Sequence, residues 1–349
     1  MDLAEYRPQT RLIREETAID RPRFPVLDAH NHLGEEFGGG WIARPVAQLL
    51  DVLDGVGVRA YVDLDGGWGE AILQAHLDHF KAAAPERFFV FGGVDWDAWP
   101  QHGDGFGEWA AARLRLQAGW GAQGLKIWKN FGLKVSDQAG RLVSVDDPRL
   151  DPIWETAAEL HLPVMIHVAD PVAFFDPLDA TNERWEELHA HPDWRFPSPP
   201  FPSFLSILEG LYRLVQRHPK TTFIGAHVGC YAENLAWVGR MLDACPNYHV
   251  DISARISELG RQPYTARRFF RQYAERILFG LDFSPDPQAY RLFFRFLETQ
   301  DEYFNYDTEP LPRQGRWYIY GLSLPDEVLE KVYHRNAERI FGWPEAGQT

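Results

Sequence analysis

Val26-Leu27-Asp28-Ala29-His30-Asn31-His32-Leu33-Gly34 is a short apolar run that ends in two histidines separated by one residue. Successive side chains of a β-strand point to opposite faces, so His30 and His32 project to the same side and can grip one ion together. Histidine pairs also occur on solvated loops, and the pair by itself leaves both readings open. The rest of the chain decides between them.

Seven more short apolar runs come after it: Val58 to Leu64, Arg87 to Asp95, Gly121 to Lys129, Pro163 to Val168, Thr221 to Gly229, Tyr248 to Ser253 and Ile277 to Asp282. Helical spacing separates them, at about Pro45 to Leu53, Leu73 to Ala83, Glu108 to Ala118 with Gly119 as its stop, Pro152 to Leu160, Phe204 to His218, Asn234 to Ala244 and Thr265 to Ala274. Eight strands alternating with helices is the pattern of an α/β protein of the (β/α)8 TIM-barrel type. Residues 1–24 read as an N-terminal arm and 25–349 as one barrel domain, since no composition break divides it. Two irregular stretches, about 170–206 after the fifth strand and 284–323 after the eighth, read as insertions. A last helix, Pro325 to Phe341, opens on Pro325, Asp326 and Glu327 and is stopped by Gly342 and Pro344.

With 349 residues, 45% of them hydrophobic, the chain can bury a large core. Its formal charge of -15 leaves no basic footprint for nucleic acid and opposes an anionic membrane surface, while a locally basic pocket can still take an anionic substrate. Cys230 and Cys245 are far from any metal-knuckle or disulfide spacing and read as small apolar residues. No run is as long as a membrane span and the first residues lack a signal-peptide core, so a soluble cytoplasmic protein is expected. A homo-oligomer is left open.

Catalytic residues of such barrels sit at the C-terminal ends of the strands. The polar residues there are His30 and His32 on strand 1, Lys126 on strand 4, His167 on strand 5, His227 on strand 6, Arg255 just past strand 7 and Asp282 on strand 8. Imidazoles and one carboxylate on one rim suit a borderline-soft divalent ion such as zinc, with a position left for water.

This ligand pattern resembles the amidohydrolase superfamily, and more closely its amidohydrolase-related branch, which includes aminocarboxymuconate semialdehyde decarboxylase, aromatic acid decarboxylases and lactonases. The words that carry the resemblance are Asp28-Ala29-His30-Asn31-His32, Phe223-Ile224-Gly225-Ala226-His227-Val228-Gly229, Ile277-Leu278-Phe279-Gly280-Leu281-Asp282, and Leu324-Pro325-Asp326-Glu327 through Asn336-Ala337-Glu338-Arg339-Ile340-Phe341. It implies that His30, His32, His167 and Asp282 hold the metal, zinc first and manganese second. It implies that His227 binds the substrate, polarises its carbonyl or touches a second metal, and that Asp282 also moves the proton of the attacking water. Lys126 either is carboxylated and bridges two ions or orients the substrate beside a single one; one ion is favoured.

Arg255 is a candidate for binding a substrate carboxylate, with a structural ion pair as the competing explanation. Trp41, Trp128, Phe174, Phe175, Trp185 and Trp194 are candidates to wall a pocket for a ring-shaped substrate. Arg313, Arg316 and Trp317 in the second insertion either close over the site or meet a neighbouring subunit. Together these features suggest a hydrolase that activates water against a lactone, amide or ester carbonyl of a small substrate. The alternatives are a nonoxidative decarboxylase and, third, a noncatalytic ligand-binding barrel.

Overall fold

A computed structural model describes residues 5–35 and 37–343. Eight parallel strands are present: β1 Val26–Asn31, β2 Val58–Asp63, β3 Phe88–Val90, β4 Leu125–Ile127, β5 Val164–Ile166, β6 Phe223–Gly225, β7 Tyr248–Asp251 and β8 Ile277–Leu278. They pair in sequence order as runs of three and five. The two runs join through Lys126 N to Gly92 O at 2.8 Å and Gly92 N to Gly124 O at 3.0 Å, and the ring closes through Ala29 N to Phe279 O at 2.9 Å. This is the (β/α)8 barrel that the alternation implied.

The main helix after each strand is, in order, α1 Val46–Val56, α2 Glu70–His76, α3 Phe106–Trp120, α4 Asp151–Glu159, α5 Phe204–Arg217, α6 Leu235–Ala244, α7 Pro263–Gln272 and α8 Pro287–Glu298. The helix expected to stop at Gly119 runs on to Trp120, because the left-handed residue that ends it is Gly121, at φ 117°. The last helix begins at Asp326, after Pro325, and ends at Gly342 in the left-handed region; Pro344 lies outside the described residues.

Residue parity separates two cores. Val58, Phe88, Leu125, Ile127, Val164, Ile166, Phe223, Val250 and Ile277 pack outward with the helices. Ala60, Val62, Phe89, Phe91, Met165, Ile224 and Leu278 form a separate inner cluster, joined by Ala337 and Trp343 of the chain end. Inward parity therefore carries Lys126, His167 and Asp251 into the barrel, in register with the inner residues below them.

The N-terminal segment lies against α8 and the loop beyond it, where the Thr17 hydroxyl and backbone N–H donate to Asp301 at 2.6 and 2.7 Å. The insertion after β5 holds short helices at Val172–Phe174, Trp185–Ala190 and Pro192–Trp194. Buried Arg184 ties it to Glu258 beyond β7 and to Glu187 at 2.7 Å. No helix among the described residues is long and apolar enough to cross a membrane.

Candidate metal centre

β1 delivers His30 at its end and His32 just beyond it. Its pairing with β2 breaks register between Asp28 and Asn31, and Gly280 lets the eighth strand approach, since a Cβ there would stand 2.9 Å from the His30 Cβ. β6 and β8 end abruptly. His227 and Asp282 take φ values of 59° and 58°, in the left-handed region that costs a non-glycine residue energy. Those turns lift both side chains off the ladder and toward the barrel axis, and they explain why the observed strands are shorter than the apolar runs.

Asp282 is where the imidazoles meet. Its Oδ1 lies 3.1 Å from His32 Nε2 and 3.6 Å from His30 Nε2, and its Oδ2 lies 3.7 Å from His227 Nε2. Donor atoms of His30, His32 and Asp282 all fall within 4.8 Å of one another. His167 is outside that trio: its ring meets His227 edge-on at 4.4 Å between centroids, and its Nε2 lies 3.2 Å from Ala169 O and 3.5 Å from Asp170 Oδ1.

The outer ring nitrogens face carboxylates and a carbonyl, which accept, and the Ser253 hydroxyl, 3.0 Å from both His30 Nδ1 and His227 Nδ1, gives its own proton to Asp251; this fixes the inner ones. His30 Nδ1 donates to Asp251 Oδ2 at 2.9 Å, His32 Nδ1 to Asp65 Oδ1 at 2.7 Å, and His227 Nδ1 to the Ser253 carbonyl at 2.9 Å. A neutral ring with its proton on Nδ1 presents an Nε2 lone pair to the centre, which is the form a cation or a transferable proton requires. Asp65, Asp251, Asp170 and Ser253 were not singled out in the sequence. The available signal was a carboxylate interrupting or closely following an apolar strand, but nothing in the sequence pairs each with its histidine.

Burial lowers His30, and Lys126 adds to this against the pull of Asp251 and Asp282. His227 falls well below its usual range through burial and then the nearby Arg255, and burial takes His167 down to about 4 despite Asp170. At His32 burial is outweighed by hydrogen bonds to Asp282 and Asp65, which push it up to about 9. An imidazolium held between two carboxylates marks a place where positive charge is favoured, and a divalent ion would have to displace its Nε2 proton. The donor set thus fits such an ion: two imidazole nitrogens and a carboxylate oxygen, each imidazole anchored from behind.

Lys126 is 1% exposed, 3.3 Å from His30 Nε2 and 4.7 Å from the Trp128 ring centre. Burial brings its pKa down to about 8. Arg255 is also buried, donates to Ala254 O at 2.8 Å and acts electrostatically on His227. Trp128 reaches the site, stacked on His32 at 5.2 Å between centroids. Trp41 and Phe174 make their contacts elsewhere, Trp41 with Ser284 at 3.2 Å and under Arg44, Phe174 with Trp194 and Arg184 inside the first insertion. Arg313 pairs with Asp307 of its own loop at 2.8 Å, Arg316 with Glu186, and Trp317 lies under Arg261, so the second insertion bonds to the first within one chain. Cys230 and Cys245 are free and buried.

Solved structures of similar fold include a TIM-barrel protein from Bordetella bronchiseptica, at 14% identity and TM-score 0.56, covering 92% of this chain and 99% of that one. A 2,6-dihydroxybenzoate decarboxylase from Rhizobium matches at 17% identity and TM-score 0.55, over 91% of this chain and 99% of its own. A dihydroxybenzoic acid decarboxylase from Polaromonas, with bound manganese and the inhibitor 2-nitroresorcinol, matches at 15% identity and TM-score 0.56, over 91% and 97%. At these identities the likeness establishes the fold. No protein of curated function matches the chain. The amidohydrolase family model, however, matches residues 28–343, from the strand that carries His30 and His32 to the end of the last helix, and the chain belongs to that family.

Proposed function

We propose that this chain is a metal-dependent hydrolase that directs water at the carbonyl carbon of a small anionic or ring-containing lactone, amide or ester. The observation that carries the reading is the convergence of three imidazole Nε2 atoms on the Asp282 carboxylate. His30, His32 and Asp282 would hold one divalent ion, zinc or manganese, with His167 as the fourth protein ligand. When bound, that ion supplies Lewis acidity and lowers the pKa of water.

The chain's own groups divide the remaining work. Asp282 has one oxygen turned to His30 and His32 and the other to His227, so the second oxygen can take a proton from the nucleophile and return it to the leaving group. His227 is neutral with its proton on Nδ1, and its Nε2 is a second acceptor at the same place. Lys126 and Arg255 supply buried positive charge for an anionic substrate. Lys126 acts here as an orienting cation beside a single ion, and Trp128 offers a flat wall next to His32.

Decarboxylation is the second reading, favoured by the same buried cations, which would grip a carboxylate, and by the activities named for two structures of like fold. Metal analysis and a substrate panel test both. Purified protein is expected to carry roughly one ion per chain, and Asp282→Ala and His30→Ala to lose it; full metal content in both variants would sink the assignment. Lactones, amides and esters followed by acid release, and aromatic acids followed by carbon dioxide release, then separate hydrolysis from decarboxylation.

A further inference from the structure

We propose that the loops after β2, β3 and β4 form a binding pocket for an organic cation, a small molecule bearing an amine or quaternary ammonium group, beside the histidine cluster. A cavity of about 610 Å3 opens there, lined by Trp68, Trp96, Trp109 and Trp128 together with Asp95 and Asp97. That volume lies in the range of small-molecule sites, about 300–1,000 Å3.

The indoles are held in place by stacking, Trp68 and Trp128 of the lining on each other and the other two on rings outside it. Trp68 stacks on Trp128 at 3.9 Å between centroids, Trp96 on Phe131 at 4.8 Å and Trp109 on His102 at 4.4 Å. Preorganised indole walls attract cations through the ring quadrupole at little ordering cost. Charge selects the same ligand. Glu70 also lines the cavity, but Arg113 donates to both of its oxygens, so those two charges cancel. Asp95 accepts only the Asp97 backbone N–H, at 3.1 Å, and neither aspartate has an ion-pair partner among the described residues. Surplus negative charge therefore faces an aromatic cavity, the combination that recognises ammonium groups and repels anions.

In the barrel centre buried Lys126 and Arg255 stand among carboxylates, whereas the only cation lining this cavity among the described residues is Arg113, which is paired with Glu70. Trp128 is the wall common to both, stacked on His32 at 5.2 Å on the way to the metal centre. None of the proposed metal ligands lines the cavity, so the pocket stands or falls apart from the reaction proposed above.

Titration of the full chain with choline, followed by tryptophan fluorescence and calorimetry, tests this against 3,3-dimethylbutan-1-ol, its uncharged isostere. Choline is expected to bind saturably and about 10-fold more tightly than the alcohol, more weakly as salt is raised, and about 10-fold more weakly to the double variant Asp95→Asn, Asp97→Asn. Binding should survive removal of metal by a chelator. Equal binding of the alcohol, preference for a methyl glycoside, indifference to salt or loss of binding on chelation would each overturn the proposal. The salt and isostere comparisons use the unaltered protein and hold even where the double variant fails to fold.

Discussion

At the scale of single residues, the site depends as much on what stands behind the imidazoles as on the imidazoles themselves. Asp65 holds His32 at 2.7 Å and also accepts the Leu33 N–H at 2.9 Å and the Gly34 N–H at 2.6 Å. One carboxylate therefore sets both the tautomer of a proposed ligand and the turn that comes after it. Asp65→Ala should lower metal affinity about 10- to 100-fold and cost about 1–3 kcal/mol of stability through the freed backbone donors. Competition with a chromophoric chelator measures the first effect and urea unfolding the second. Unchanged affinity would mean that the Trp128 stack alone positions His32. None of this was readable in the sequence, where Asp65 is one carboxylate among fifty acidic residues and its partner is thirty-three positions away.

At the scale of elements, the two insertions act on each other across the rim. Arg184 of the first is buried, with its pKa raised because Glu258 and Glu187 outweigh the cost of burial. Arg261, just past the short turn that holds Glu258, forms a two-pronged pair with Glu183, at 2.7 and 3.0 Å, and covers Trp317 at 4.1 Å. Removing one partner of a buried pair leaves an uncompensated charge, so Glu258→Ala should destabilise the protein by about 3–5 kcal/mol. Urea melts read this, and a loss below about 1 kcal/mol would mean that Glu187 alone satisfies Arg184. Strand and helix positions were legible from periodicity, because β-branched and aromatic runs bounded by turn residues leave few alternatives. Strand ends were not: the left-handed turns at His227 and Asp282 depend on packing at the rim, and no local propensity announces them.

At the scale of the whole molecule, closing the barrel buries polar residues that the unfolded chain exposes. His249 on β7 is an example: its Nδ1 has no hydrogen-bond partner, and burial, followed by Arg276 and Arg339, takes its pKa down to about 3. The ordinary value is about 6.5, so the unfolded chain takes up its proton first as pH falls. The stabilising effect of keeping this ring neutral is complete above about pH 6.5 and is lost toward about pH 3, by up to ~1.4 kcal/mol per pH unit. His249→Gln should therefore flatten the decline of unfolding free energy between about pH 6 and about pH 4 by up to that slope. Equal slopes in variant and parent, measured by urea melts, would rule His249 out as a source of acid sensitivity.

Periodicity and spacing along one chain were enough for the alternation of strands and helices and for the order of the strand-end histidines and Asp282, while the family rested on a resemblance of motifs that the family model bears out. Folding in three dimensions was needed to settle which nitrogen of each ring faces the centre, which carboxylates stand behind them, and that Trp128 adjoins His32 while Trp41 and Phe174 do not. Those outcomes depend on contacts between residues far apart in the chain, such as His30 and Asp251, 221 positions apart, and Trp41 and Ser284, 243 positions apart. Barrel closure brings them together, and local sequence does not encode the resulting orientation.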